Sequence, residues 1–294
     1  MRVASWEKPM LRIEIAASDG QGRVHGGINE DCVGHHGNAA WVIDGATGIG
    51  PRLLDAPSDA FWLAQKANAL LAQGLAESPD IPTVELLRQV MRQCGEALGR
   101  EQLGPAAAAH EHPSAAFAMV RVIGGEAEIT TLADCRVIAQ DGQVFGSSAL
   151  DAIEARTIAA MRQILAEEGE IAPEALKQRL MPGLIANRQL MNRVNGYWVL
   201  GTEPRAADHV WQVRFPVRPG QRFALASDGF LRLFEVFDAA EPADLLAISG
   251  AQDWAHWLAR LRALESAPES LRQFARVKRH DDASLVICSW ENDG

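Results

Sequence analysis

Hydrophobic and polar positions along the chain change period several times, and the changes outline its elements. Residues 11–17 (LRIEIAA) alternate apolar and polar, the period-two pattern of a half-buried strand. Residues 39–44 (AAWVID) form an apolar run that stops on an aspartate followed by glycine, which predicts a buried strand ending at Asp44-Gly45. From about Ser58 the spacing turns helical: Leu63, Ala67, Leu70 and Leu71 share a face, with Gly74 as the expected stop. A second helix is expected to open at Thr83 as N-cap, carrying Leu87, Val90, Met91, Cys94 and Leu98 on its apolar face. Residues 115–146 read as strands separated by turns, with Gly124-Gly125 and Asp141-Gly142 as hairpin pairs; only Ala133-Asp134-Cys135 is not a plain turn. Helical spacing returns over about 151–195, with a break at Pro182-Gly183. RFALASDGF (222–230) again runs an apolar strand into Asp-Gly, and a helical stretch covers 252–264. A last strand, ASLVICSW (283–290), is entered through His280-Asp281-Asp282. Hairpins, rather than regular strand–helix alternation, predict antiparallel sheets covered by helices.

Composition narrows the picture. At 294 residues, 48% hydrophobic and 22% charged, the chain has enough apolar material for a sizeable core without disulfide or metal staples. There is no internal repeat and no linker of domain-boundary length, so one domain spanning 1–294 is expected. A formal charge of −10 argues against nucleic acid or an anionic membrane as partner. Cys32, Cys94, Cys135 and Cys288 show no CxxC or CxH spacing, which predicts reduced, buried thiols in a reducing compartment. The first twenty residues lack the apolar run of a signal peptide, and nowhere are eighteen apolar residues consecutive. A soluble, cytoplasmic protein is the expectation.

The candidate chemistry lies in four acidic tracts: Asn29-Glu30-Asp31, Asp44-Gly45, Ser227-Asp228-Gly229 and Asp281-Asp282, with Asp134 a weaker fifth. Carboxylates at the ends of buried strands are costly unless they meet cations. Oxygen-only ligands suit hard divalent ions such as Mg²⁺ or Mn²⁺, and a following glycine permits close approach of the backbone. Any single Asp-Gly is equally a turn, as Asp141-Gly142 is. The residues alone leave both readings open.

Taken in order, NED (29–31), VIDGATG (42–48), LADCR (132–136), LASDGF (225–230) and HDDASLVI (280–287) resemble the motifs of the metal-dependent type 2C serine/threonine protein phosphatases, the PPM family. The resemblance runs from about residue 12 to 290. It implies an α+β fold, a four-layer α-β-β-α sandwich of two antiparallel β-sheets flanked by helices, with 151–195 as a helical flap-like insertion. It also implies two Mg²⁺ or Mn²⁺ ions, with Asp44, Asp228 and Asp281 as the catalytic aspartates. Asp44 would bridge the ions and Gly45 would offer its carbonyl to one. Asp228 and Asp281 would hold the other, and Glu30 and Asp31 would act at the second. The implied activity is signalling phosphatase hydrolysis of phosphoserine or phosphothreonine, with a phosphorylated protein and its cognate kinase as partners. A catalytically weak module that recognises a phosphoprotein, or a phosphatase for a small metabolite, are the alternatives.

The chain departs from the family pattern in three places. The arginine three residues before NED that binds substrate phosphate is Gly26 here, with Arg23 nearby. No histidine follows the first Asp-Gly; His35, His36, His110 and His112 are the candidates at hand. The aspartate expected four residues after Asp228 is Arg232, which leaves Asp134 to pair with Arg136 or Arg232 and makes Arg232 a second phosphate candidate. Trp254 and Trp257 read as core packing, and RQFARVKRH (272–280) as a solvated basic face or a steering patch.

Overall fold

The protein, described here from a computed structural model, is defined over residues 11–20, 27–105, 107–169 and 171–291. Among these, ten strands form two five-stranded antiparallel sheets. One has the order β1 (Leu11–Asp19), β10 (Ala283–Trp290), β9 (Arg222–Ala226), β6 (Arg136–Ala139), β7 (Val144–Phe145). The other runs β2 (Cys32–His36), β3 (Ala39–Ala46), β4 (Ser114–Ile123), β5 (Glu126–Leu132), β8 (Trp211–Pro216). Helices α1 (Asp59–Glu77) and α2 (Thr83–Glu101) cover the second sheet. The first is covered by α5 (Asp228–Glu235), α6 (Pro242–Leu246), α7 (Ala251–Ser266) and α8 (Ser270–Gln273).

Strand periodicity builds the layers. Ala40 and Val42 of β3 meet Val286 and Cys288 of β10 between the sheets, while their neighbours Trp41 and Ile43 turn out against Leu63, Leu71 and Leu87 of the helices. On β10 the same alternation sends Leu285 and Ile287 to the other helical layer, where Phe230 packs at a tilt against Trp254, ring centroids 4.9 Å apart. This is the four-layer α-β-β-α arrangement. Helices α3 (Asp151–Glu168) and α4 (Pro173–Arg188) make a hairpin with a small core of its own, Met161, Leu176 and Leu180.

Several local expectations are corrected by packing. Gly74 does not stop α1; the helix continues to Glu77, and a Cβ at Gly74 would lie 2.6 Å from Leu86 of α2, so the glycine serves a close helix crossing. Thr83 is the first residue of α2 rather than its cap, because its hydroxyl is taken by Glu128 and by Arg121 Nη1 at 2.8 Å. Those groups belong to a row, buried Arg121 and Glu128 and exposed Arg214, across β4, β5 and β8. Pro182 lies inside α4 instead of breaking it; buried Leu180 and half-buried Leu184 anchor the helix on both sides. Two strands fall outside the expected elements: β2 (CVGHH) carries little apolar sequence, whereas β8 (WQVRFP) does alternate apolar and polar positions and was legible. β2 pairs only with β3, and β8 is an alternately exposed edge strand.

Candidate functional site

Antiparallel pairing brings the acidic tracts to one end of both sheets. Asp31 immediately precedes β2, whose first residue Cys32 lies opposite Ile43, just before Asp44. In the other sheet β9 ends at Ala226, opposite Leu285 near the start of β10, so Asp228 and Asp281-Asp282 meet. Asp134 follows the end of β5, and Phe117↔Leu132 sets it beside the Asp44 end of β4.

The tracts touch through their backbones. The Glu30 amide donates to Asp282 Oδ2 at 2.7 Å, linking the two sheets. A Cβ on Gly45 would stand 2.5 Å from the Glu30 carbonyl oxygen, and one on Gly229 would stand 1.9 Å from that of Asp282. Both Asp-Gly glycines are therefore required by close approach of one acidic tract to another. Hydroxyls fill in around them: Ser58 Oγ, which caps α1, donates to Glu30 Oε1 at 2.6 Å, and Thr47 donates to Oε2. Asn29 Oδ1 accepts from the Asp31 amide at 3.1 Å, and Ser227 Oγ accepts from the Ser284 amide at 2.9 Å.

The charge at this end is one-sided. Asp31, Asp44, Asp134 and Asp228 make no ion pair among the described residues, and Asp31 Oδ2 is buried without a partner. Burial, followed by the charges of Asp31, Asp228, Asp134 and Asp281, pushes the Asp44 carboxyl well above the usual carboxylate range. Burial raises Asp31 to about 7, with Asp282 and Asp228 adding to it against the Ser284 and Ser227 hydroxyls. Asp134 is raised by burial and then by Asp228 and Glu154. These are carboxylates lacking a counter-ion, and an oxygen-only donor set of this kind fits a hard divalent cation. No three His, Cys, Asp or Glu side chains among the described residues are yet grouped at ligating spacing.

Asp281 stands apart. Its Oδ1 accepts from Lys278 Nζ at 2.9 Å and its Oδ2 from Arg232 Nη2 at 2.5 Å. Burial is outweighed by these two cations, which hold its carboxyl below the ordinary value. Arg232 is 6% exposed and its other Nη donates to Glu265 at 2.8 Å, so it faces two carboxylates and not a free anion. The expected partnership of Asp134 with Arg136 or Arg232 is not found: Arg136 binds the Ser147 carbonyl and Asp151, and Asp134 instead meets Glu154 of α3. Glu235 of α5, raised by burial to about 7, also senses Asp228 and Glu154. Neither glutamate has a sequence signal of its own: Glu154 lies on α3, which carries no motif, and Glu235 lies at the far end of the helix that opens with Asp228-Gly229.

The remaining candidates separate. His35 and His36 lie at the far end of the β2–β3 hairpin, about 13 Å or more from Asp31 at strand rise. His112 Nδ1 is engaged with Thr202 at 2.9 Å. Arg23 falls outside the described residues. Within RQFARVKRH, Arg276 is buried on the carbonyls of Glu265, Ser270 and Phe274, and Lys278 on Asp281, so much of that cluster is internal support. All four cysteines are free and buried.

No protein-family profile and no curated protein matches the chain by sequence. Solved structures do match its shape. The PPM Ser-Thr phosphatase MsPP from Mycobacterium smegmatis, in complex with cacodylate, aligns at 19% identity and TM-score 0.53, covering 96% of this chain and all (100%) of that one. The catalytic domain of the serine threonine protein phosphatase PstP, in complex with two manganese ions, aligns at 18% identity and TM-score 0.51, over 97% of this chain and 100% of its own. Stp1 from Staphylococcus aureus aligns at 13% identity and TM-score 0.57, over 99% and 100%. The chain has the fold of the PPM Ser/Thr phosphatases.

Proposed function

We propose that this protein is a metal-dependent phosphatase acting on phosphoserine or phosphothreonine in proteins. One observation carries the reading. Asp31, Asp44, Asp134 and Asp228, drawn from both sheets, come to one end of the molecule with no ion pair among the described residues, Lys278 and Arg232 being engaged on Asp281, and Asp31 Oδ2 is buried and unpartnered. The PPM fold and a neighbour described with two manganese ions support it. Asp44, Asp31 and Asp228 would hold two Mg²⁺ or Mn²⁺ ions together with Gly45, Glu30 and Asp281. When bound, such ions supply an acidified water for in-line attack and neutralise the phosphoryl oxygens.

The chain's own residues set this up. Ser58 and Thr47 fix the Glu30 carboxylate, and the Glu30 amide clamps Asp282 across the sheets. Lys278 and Arg232 keep Asp281 ionised and aimed. The chain acts as one PPM-type domain in the cytoplasm, with α3–α4 as its flap, opposing a cognate kinase.

A second reading has an observation of its own. Because Lys278 and Arg232 occupy both Asp281 oxygens, that carboxylate is partly spent, which favours a catalytically weak, metal-binding phosphoprotein-recognition module. The discriminating measurement is hydrolysis of p-nitrophenyl phosphate and a phosphothreonine peptide with Mn²⁺, with and without chelator, beside Asp44→Asn and Asp228→Asn. Mn²⁺-dependent turnover lost in both variants is the expected result. Mn²⁺ binding by calorimetry without turnover selects the recognition module, and no binding at all removes both.

A further inference from the structure

The inserted hairpin ends in an arginine that meets no carboxylate directly among the described residues. Arg188, in the last turn of α4, is half-buried yet forms no ion pair among the described residues; its Nε donates to the His110 carbonyl at 3.4 Å. Its other close contact is the Tyr197 phenol, and the carboxylate it senses is that of Glu30, a member of the acidic cleft. By contrast Arg232, Arg222 and Arg262 each meet a carboxylate directly, and the buried Arg121 and Arg276, which have no ion pair among the described residues, are each filled by several carbonyls and a hydroxyl.

The chain after α4 is built to hold Tyr197 on Arg188. Residues 189–197 close into a tight turn, with the Asn192 amide donating to the Tyr197 carbonyl at 2.7 Å and the Tyr197 amide to the Leu190 carbonyl at 3.3 Å. Asn192 takes a positive φ of 54°, and a Cβ on Gly196 would collide with the Leu190 carbonyl at 1.9 Å, so the turn needs both residues as they are. Three residues on, Leu200 exchanges both backbone hydrogen bonds with Ala115, at 2.8 and 3.0 Å. Ala115 is in turn the partner of Gly45 on β3. Leu200 thus fills the place beside β4 that β5 vacates at Ala133-Asp134, and the arginine–tyrosine pair is spliced into the sheet at the Asp44 end. Tyr197 also senses Asp134.

The geometry points to Arg188, supported by Tyr197, as the site that grips the dianionic phosphoryl group of the substrate. This rests on the phosphatase reading and names a residue that reaches the cleft from the opposite end of the sequence to Gly26. A guanidinium is suited to two phosphate oxygens at once. Burial lowers the Arg188 pKa, and a phosphate beside it would favour the charged form again.

The test is binding of inorganic phosphate to the Mn²⁺-loaded protein by calorimetry, in wild type, Arg188→Ala, Arg188→Lys and Tyr197→Phe, with Mn²⁺ affinity and p-nitrophenyl phosphate hydrolysis measured on the same samples. Arg188→Ala is expected to weaken phosphate binding by about ten- to a hundredfold, with Lys recovering part of it, Tyr197→Phe losing less, and Mn²⁺ affinity unchanged. Phosphate bound as tightly by Arg188→Ala as by wild type overturns the inference, even with hydrolysis intact, as does a wild type that binds no phosphate. Hydrolysis absent while phosphate binding still depends on Arg188 leaves the inference standing and removes the phosphatase reading.

Discussion

At the scale of single residues, the site is shaped by backbone positions more than by its carboxylates. Ala133 sits at φ 59°, immediately before Asp134, where a Cβ is disfavoured. Replacing it by glycine should relieve that strain and stabilise the fold by about 1 kcal/mol, read from the urea midpoint at constant slope. Gly229 is the opposite case, since its missing Cβ is what lets the Asp282 carbonyl pass. Gly229→Ala is expected to cost about 2 kcal/mol or more, and to loosen the Asp228 tract before the rest of the fold, which hydrogen exchange at α5 would register. Asp-Gly, read from sequence as either turn or metal chemistry, turns out to be the contact between acidic segments.

At the scale of elements, the ion-paired junction of α5, α7 and the start of β10 governs one carboxylate of the cleft. Arg232 bridges Glu265 of α7 and Asp281, both buried. Arg232→Ala would leave Glu265 with Arg262 alone and Asp281 with Lys278 alone among the described residues, and should destabilise the protein by about 2–3 kcal/mol, measured by chemical denaturation. Adding Glu265→Gln should recover part of that loss; a null effect of Arg232→Ala would mean that Asp281 is held by Lys278 alone. The sequence placed an arginine where the family pattern has an acid, and only the packing of α7 explains what the arginine does. The α3–α4 hairpin shows the same limit: its helical character was legible, whereas its continuity through Pro182 depended on apolar contacts on either side.

At the scale of the whole molecule, the unbalanced cleft predicts how stability responds to pH and metal. Asp31, raised to about 7, and Asp44 and Asp134, raised well above their ordinary values by burial and by neighbouring carboxylates, all hold protons more tightly in the folded chain. Their contribution is therefore present below the unfolded carboxylate range and is lost as pH rises through the folded value, near 7 for Asp31. Asp281, held low, works in the other direction and loses its contribution only under more acid conditions. Metal-free protein should melt at a lower temperature at pH 8 than at pH 5.5, and Mn²⁺ should raise the melting temperature more at pH 8, with protons released on binding. Equal Mn²⁺ shifts at both pH values would count against carboxylate ligation. Among the described residues no helix is long and apolar enough to cross a membrane.

Much of the fold was determined by the sequence on its own: the buried strands, the amphipathic helices, the hairpin turns and the aspartates at strand ends. Those features are written in local periodicity and turn chemistry, which act over a few residues. Tertiary structure alone decided which carboxylates meet. Glu30 and Asp282 are joined across 252 positions, Arg232 and Asp281 across 49, and neither pairing has a local pattern to announce it. It also decided which acids are left without an ion pair and which are neutralised internally, and it brought Tyr197 onto Arg188. The physical reason is that the energy of a charge depends on burial and on its neighbours in space, and both exist only once the two sheets have packed.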